Sequence, residues 1–179
     1  MVRGGDDRKN KHFPPLSKGG LGGFFTVSQE VYSYVNYTLP DTVENLTLKG
    51  NGDITGTGND RRNQIVGSSG DDTLTGNAGA DTFYFLSPSH GVDIITDFSG
   101  GDGQGDRIRV NPINFGMDTG TLQEHQFVLG SEAEDESDRF IYNSGDLFYD
   151  ADGTGITSKI HLATLTDAPT LVASDIFVV

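Results

Sequence analysis

The chain has 179 residues, 34% of them hydrophobic, and 26 acidic against 12 basic residues give it a formal net charge of −14. That suits one domain, or one elongated domain with a tail, and no large core; the charge argues against nucleic acid and anionic membrane surfaces and makes divalent cations natural partners. Without cysteine there are no disulfides, zinc-thiolate sites or cysteine nucleophiles, and no apolar run reaches the roughly 18 residues of a membrane helix.

Residues 1–23 carry five basic and two acidic residues with a glycine and proline cluster, FPPLSKGGLGGF, so their charge is +3 while the remainder carries −17. The shift predicts a disordered basic leader, with a basic interaction arm as the alternative. The stretch lacks the compact apolar segment of a Sec signal. From Phe24 to Leu48, the runs VYSYVNYTL and VENLTL are rich in β-branched and aromatic residues. Separated by Pro40 and Asp41, they predict two strands around a turn.

Three blocks of nine follow: GNDRRNQIV at 58–66, GSSGDDTLT at 67–75 and GNAGADTFY at 76–84. Each opens on glycine. The last two repeat glycine at the fourth place (Gly70, Gly79) and aspartate at the sixth (Asp72, Asp81), and the eighth place is always large and apolar: Ile65, Leu74, Phe83. The pattern G-G-x-G-x-D-x-U-x resembles the calcium-binding nonapeptide repeat of the RTX, or hemolysin-type, family. Glycine lets six residues turn tightly and aim carbonyls into a gap, and the three residues after the aspartate form a short strand with its middle side chain inward. Two units make one coil of eighteen residues, which stacks Phe83 over Ile65, leaves Leu74 on the opposite sheet and sets turns eighteen residues apart face to face. Calcium fits such a gap because it takes six to eight oxygens from carboxylates and backbone carbonyls. Merely solvated Gly-Asp loops would need neither the register nor the phased apolar residue. The candidate ligands are Asn63, Gly67, Gly70, Asp71, Asp72, Gly76, Gly79 and Asp81, with Ca2+ as the cofactor. The first block is degenerate, with Arg61 for the second glycine and Asn63 for the aspartate. One side of one site is therefore expected to be weak or empty.

KGNGDITGTG at 49–58 resembles the stretch that precedes RTX repeats in long bacterial secreted proteins, so the roll is expected to be truncated at its N-terminal end. After Phe83, FYFLSPSHGVDIITDFSGGDGQGDRIRV leaves the strict register, although Val92 falls eighteen residues after Leu74. It resembles the segment closing the roll in serralysin-type C-terminal domains, which implies Asp97, Asp102 and Asp106 as further calcium ligands. Residues 107–179 hold strand-like runs (IRV, QFVL, RFIY, DLFYD, SKIHLATL) with a helical period only around Leu122 to Phe127, and read as a small antiparallel cap. The acidic run EAEDESD at 132–138 is expected to be a solvated loop. DADGTG at 150–155 places His161 where an EF-hand needs a bidentate glutamate, so it reads as a hairpin turn. Asp175 followed by Ile-Phe-Val-Val resembles the terminus of type I secretion substrates.

None of His12, His90, His125 and His161 stands at H-E-x-x-H spacing, and no G-x-S-x-G elbow, Walker loop or dinucleotide loop occurs. No enzyme is expected. The resemblance spans about residues 31–179 and implies an all-β fold: a parallel β-roll (β-helix) of nonapeptide repeats over 24–106 and a C-terminal antiparallel β cap over 107–179 with a secretion-signal-like tail. It further implies an extracellular, secreted monomer that folds on binding calcium after type I export, with the secretion machinery as a possible partner. The alternative is the C-terminal remnant of a larger secreted enzyme, such as a serralysin-type protease, or of an adhesin.

Overall fold

The computed structural model describes residues 29–100 and 105–179. The basic leader and Asp102 lie outside the described residues. Nine short strands alternate between two sheets as the chain coils. β1 (Glu30–Ser33), β3 (Asn45–Leu48), β5 (Gln64–Val66), β7 (Thr82–Phe85) and β9 (Arg107–Val110) stack in parallel in one sheet. β2 (Tyr37–Thr38), β4 (Thr55–Thr57), β6 (Thr73–Thr75) and β8 (Asp93–Ile95) do so in the other. The result is a parallel β-roll.

The eighth-place residues are the reason the coils stack. Ile65 pairs with Phe83 across neighbouring rungs, and the column continues through Leu46, Ile108 and Ile176, all with no exposed surface. On the opposite sheet Leu74 pairs with Ile95 and Ile95 with Leu165. Each strand alternates inward and outward side chains, as in buried Leu74 between half-buried Thr73 and Thr75, so one apolar residue per three-residue strand suffices to line the interior. In the first sheet Phe85, Val110 and Val178 form a second buried row beside the column of Ile65 and Phe83.

Two expectations about register change. VYSYVNYTL and VENLTL do not form a hairpin: β1 pairs with β3 in parallel, Val31 against Leu46, and the chain between them crosses to the other sheet as β2. A two-residue strand at Tyr37–Thr38 is too short to announce itself by alternation, so one coil reads as two strands and a turn. Val92 is not the residue over Leu74; Ile95 is. The turn through Ser87 and Pro88 adds three residues to that coil, and the sheet register follows the buried side chain rather than the count.

Past β9, a single helical turn α1 (Pro112–Phe115) starts at Asn111, whose side chain accepts from the Ile113 and Asn114 amides, and stops at Gly116 with φ 60°. The remaining strands are β10 (Gly120–Thr121), β11 (Phe127–Leu129), β12 (Phe140–Asn143), β13 (Asp146–Tyr149), β14 (Ile160–Leu165) and β15 (Ile176–Val178). The helical signal near Leu122 amounts to one 3-10 turn, Glu124–Gln126. β12, β13 and β14 pair antiparallel, as do β10 and β15, while β11 runs parallel to β12. The two strands that contact the roll are parallel to it: β14 pairs with β8 and β15 with β9. Phe115, Phe140 and Tyr149 pack together beneath, with Phe115 and Tyr149 edge to face at 4.9 Å, and the Tyr149 hydroxyl donates to the Phe115 carbonyl. No helix among the described residues is long and apolar enough to cross a membrane.

Candidate metal centre

Because every coil places a turn at each end of its strands, the turns also stack. One column holds residues 39–44, 58–63, 76–81, 97–100 and 105–106, and the other 49–54, 67–72 and 86–92. In both columns an acidic side chain reaches back one coil and accepts a backbone N–H there. Asp81 accepts from Asn63 N at 2.7 Å and Asp106 accepts from Asp81 N at 2.8 Å. In the second column Asp72 accepts from Ile54 N at 2.8 Å and Asp93 from Asp72 N at 3.0 Å. These are two ladders of carboxylates, and their members are buried: Asp72 and Asp81 at 0% exposure, Asp106 at 3% and Asp93 at 4%.

Asp93 is a member that sequence reasoning missed. The three added residues moved it out of nine-residue phase, but a signal was present in the order aspartate, any residue, apolar residue, which recurs at Asp72-Thr73-Leu74, Asp81-Thr82-Phe83, Asp93-Ile94-Ile95 and Asp106-Arg107-Ile108. Reading that triplet instead of the nine-residue count recovers all four.

The electrostatics follow from packing acids in a dry stack. Burial pushes the Asp81 carboxyl up to about 7; the Asn63 amide opposes this, the charges of Asp106 and Asp97 add to it, and Arg62 offsets part. Asp93 is pushed up to about 8 by burial, with Asp72 and Asp71 adding repulsion against the stabilising Asp72 amide. Asp106 is raised for the same first reason. Such groups resist ionising without a positive partner, and none of their hydrogen bonds comes from a basic side chain.

Around these acids the backbone comes unusually close. A Cβ on Gly76 would lie 2.3 Å from Asp81 Oδ2, and one on Gly79, at φ 126°, 2.5 Å from the Arg61 carbonyl oxygen. Neither position admits a side chain. Asp81 Oδ2 is buried and has no hydrogen-bond partner. Among the described residues no three histidine, cysteine, aspartate or glutamate side chains gather to hold a metal by themselves, so a cation here would share one or two carboxylates and take the rest of its shell from turn carbonyls. That donor set is all hard oxygen, which fits calcium.

The other candidates are placed as follows. Asp97 accepts from Gly76 N and Asn77 N at 2.9 and 2.7 Å, on the rim of the first column. Asp71 is exposed and accepts from Val92 N at 2.8 Å. Gly67 lies beside both Asp72 and Asp93, and Gly70 against the Gly52 carbonyl. Asn63 is 1% exposed, and its side chain bonds within the protein. DADGTG belongs to a ten-residue connection between β13 and β14 rather than a tight turn, and EAEDESD is partly ordered: buried Asp138 accepts from Glu134 N and Asp135 N. Compared with known families, residues 57–87 match the RTX calcium-binding nonapeptide repeat in four copies. No curated protein matches the chain. Repeats of this kind typically bind Ca2+ and are typical of secreted bacterial proteins.

Proposed function

We propose that this chain is a calcium-binding RTX module of a secreted bacterial protein, unfolded where calcium is scarce and folded by the ion after type I export. The observation that carries the reading is the buried carboxylate Asp81 Oδ2, without a hydrogen-bond partner, beside a glycine turn in which a Cβ would clash. Asp81 and Asp106 would hold ions in one column with the carbonyls of 58–63 and 76–81, and Asp72 and Asp93 in the other, with Asp71 and Asp97 at the rims. A bound cation supplies the positive charge that the carboxylates otherwise lack, so calcium binding becomes folding free energy.

The roll over 24–106 and the cap over 107–179 act as one secretion and folding module, and no catalysis is assigned to them. A serralysin-like kinship of the cap is supported by the hairpin of β13 and β14. Export from the C-terminus is supported by Asp175 with the apolar residues after it. In the folded chain Ile176 and Val178 are buried in β15 between β9 and β10, so the tail would be legible to an exporter only before folding.

Calcium titration followed by far-ultraviolet circular dichroism tests the reading. One site at a hundredfold excess over Kd contributes about 2.7 kcal/mol, so Asp72→Ala with Asp81→Ala is expected to raise the calcium midpoint by tenfold or more, while Asp118→Ala, at an exposed position in the cap, leaves it unchanged. A wild-type chain with the same β signal in excess EDTA as in millimolar calcium would sink the proposal.

A further inference from the structure

Not every gap in the first column is built alike. Between turns 39–44 and 58–63 lie two buried asparagines, Asn59 at 7% and Asn63 at 1% exposure, and Asn63 stands where the later blocks have the carboxylates Asp72 and Asp81. Asn59 Nδ2 donates to the carbonyls of Pro40 and Val43 at 2.9 and 2.7 Å. Asn63 Nδ2 donates to the Glu44 carbonyl and to Asn59 Oδ1, both at 3.2 Å. Asn63 Oδ1 accepts from Asn59 N at 2.7 Å, and Asn59 Oδ1 accepts from Arg61 N at 3.0 Å. All four amide hydrogens of the pair are used and neither oxygen is idle. Flipping Asn63 would set its oxygen against two acceptors and its NH2 against a donor, so the orientation is fixed by the network.

A calcium ion in such a gap would gather the carbonyl oxygens of the facing turns. Here the Pro40, Val43 and Glu44 carbonyls on the 39–44 side already receive N–H groups, which are the positive ends of neutral dipoles. No carboxylate of the pair offers charge, in contrast with Asp81, whose Oδ2 has no partner one coil further on. We infer that Asn59 and Asn63 close the gap between 39–44 and 58–63 in place of a cation, so that on this side of the roll the calcium-bearing gaps begin with the one between 58–63 and 76–81. The inference rests on the calcium reading of the carboxylate turns. It gives the roll a neutral, metal-independent coil against which the acidic coils stack, and it makes Asn63 the residue that decides where the ions start.

Counting bound calcium by equilibrium dialysis at saturating concentration tests this on the full chain. Asn63→Ala and Asn59→Ala are expected to bind as many ions as wild type while melting at a lower temperature. Asn63→Asp, whose second oxygen would face the Glu44 carbonyl and Asn59 Oδ1, is expected to bind one ion more and to need a higher calcium concentration to fold. Loss of an ion in either alanine variant, or no gain in Asn63→Asp, overturns the inference. Should one alanine variant fail to fold, the other supplies the count. A wild-type chain that binds no calcium sinks the reading of the carboxylate turns instead, and the amide closure then stands or falls on whether Asn63→Ala lowers the melting temperature.

Discussion

Asp81 and Asp93 illustrate how a single side chain becomes functional through what surrounds it. Their carboxyls ordinarily titrate near 3.8, and in the fold they are pushed up to about 7 and about 8 by burial and by neighbouring acids. A carboxylic acid whose folded value is raised binds a proton more readily folded than unfolded. Its contribution to the metal-free fold is therefore fully present below the unfolded value and is lost as pH rises through about 7 to 8. In EDTA the β signal is expected to grow on acidification from about pH 8.5 to about 5.5. Calcium displaces the same protons, so its midpoint should fall as pH rises over that range. Circular dichroism at a series of pH values reads both, and a midpoint that stays constant would remove these two acids from the ligand set. At Gly79 the cause is backbone: φ 126° and a Cβ position 2.5 Å from a carbonyl oxygen make Gly79→Ala strained whatever its neighbours do. A loss of about 1–3 kcal/mol is expected for the strain alone, read from the melting temperature at fixed calcium.

At the scale of elements, a three-residue strand carries one inward side chain and little stability of its own, so each depends on its neighbours. β15 is the clearest case. It lies between β9 and β10 and sets Ile176 over Ile108 in the apolar column. Ile176→Ala removes most of a fully buried side chain, and a loss of about 2–5 kcal/mol is expected by denaturant melts at saturating calcium. Phe177, in the same strand but half-buried under Arg107, should cost much less when truncated. If the two variants were equally stable, the column would not run into the cap. The same strand explains why an export test needs point changes rather than deletion: removing residues from Leu165 onward takes away β15 and the buried end of β14 together with the tail.

At the scale of the molecule, roll and cap share their sheets. β14 extends the sheet of β8 and β15 extends that of β9, so the cap's own strands pair on the coil whose turns carry Asp93 and Asp106. Folding of the cap should therefore follow the metal. Near-ultraviolet circular dichroism from the Phe115, Phe140 and Tyr149 cluster is expected to show the same calcium midpoint as the far-ultraviolet signal of the whole chain. A cap signal that persisted in EDTA would make residues 107–179 an independent unit. Magnesium should replace calcium poorly in either signal, because its tighter octahedron and firmly held water suit widely spaced turn carbonyls badly.

The nine-residue period was enough to place the turns and strands from 58 to 84, to set Phe83 over Ile65, and to single out Asp72 and Asp81. Those features depend on spacings within two coils, and side-chain direction in a strand alternates with the chain itself. Asp93 escaped because three added residues broke the count while the buried column kept its own register, and α1 escaped although Asn111, Pro112 and Gly116 are a start and a stop. What only the tertiary structure decided depends on partners distant in the chain. Leu165 meets Ile95 across seventy residues, which makes a cap strand parallel. Asp81 and Asp106 become neighbours across twenty-five residues, and burial, with the Asp106 charge added to it, raises the pKa of Asp81. Asn63, read from its place as a weakened ligand, reaches Glu44 and Asn59 in a network that composition and period do not encode, because a side chain's hydrogen bonds belong to the space it folds into.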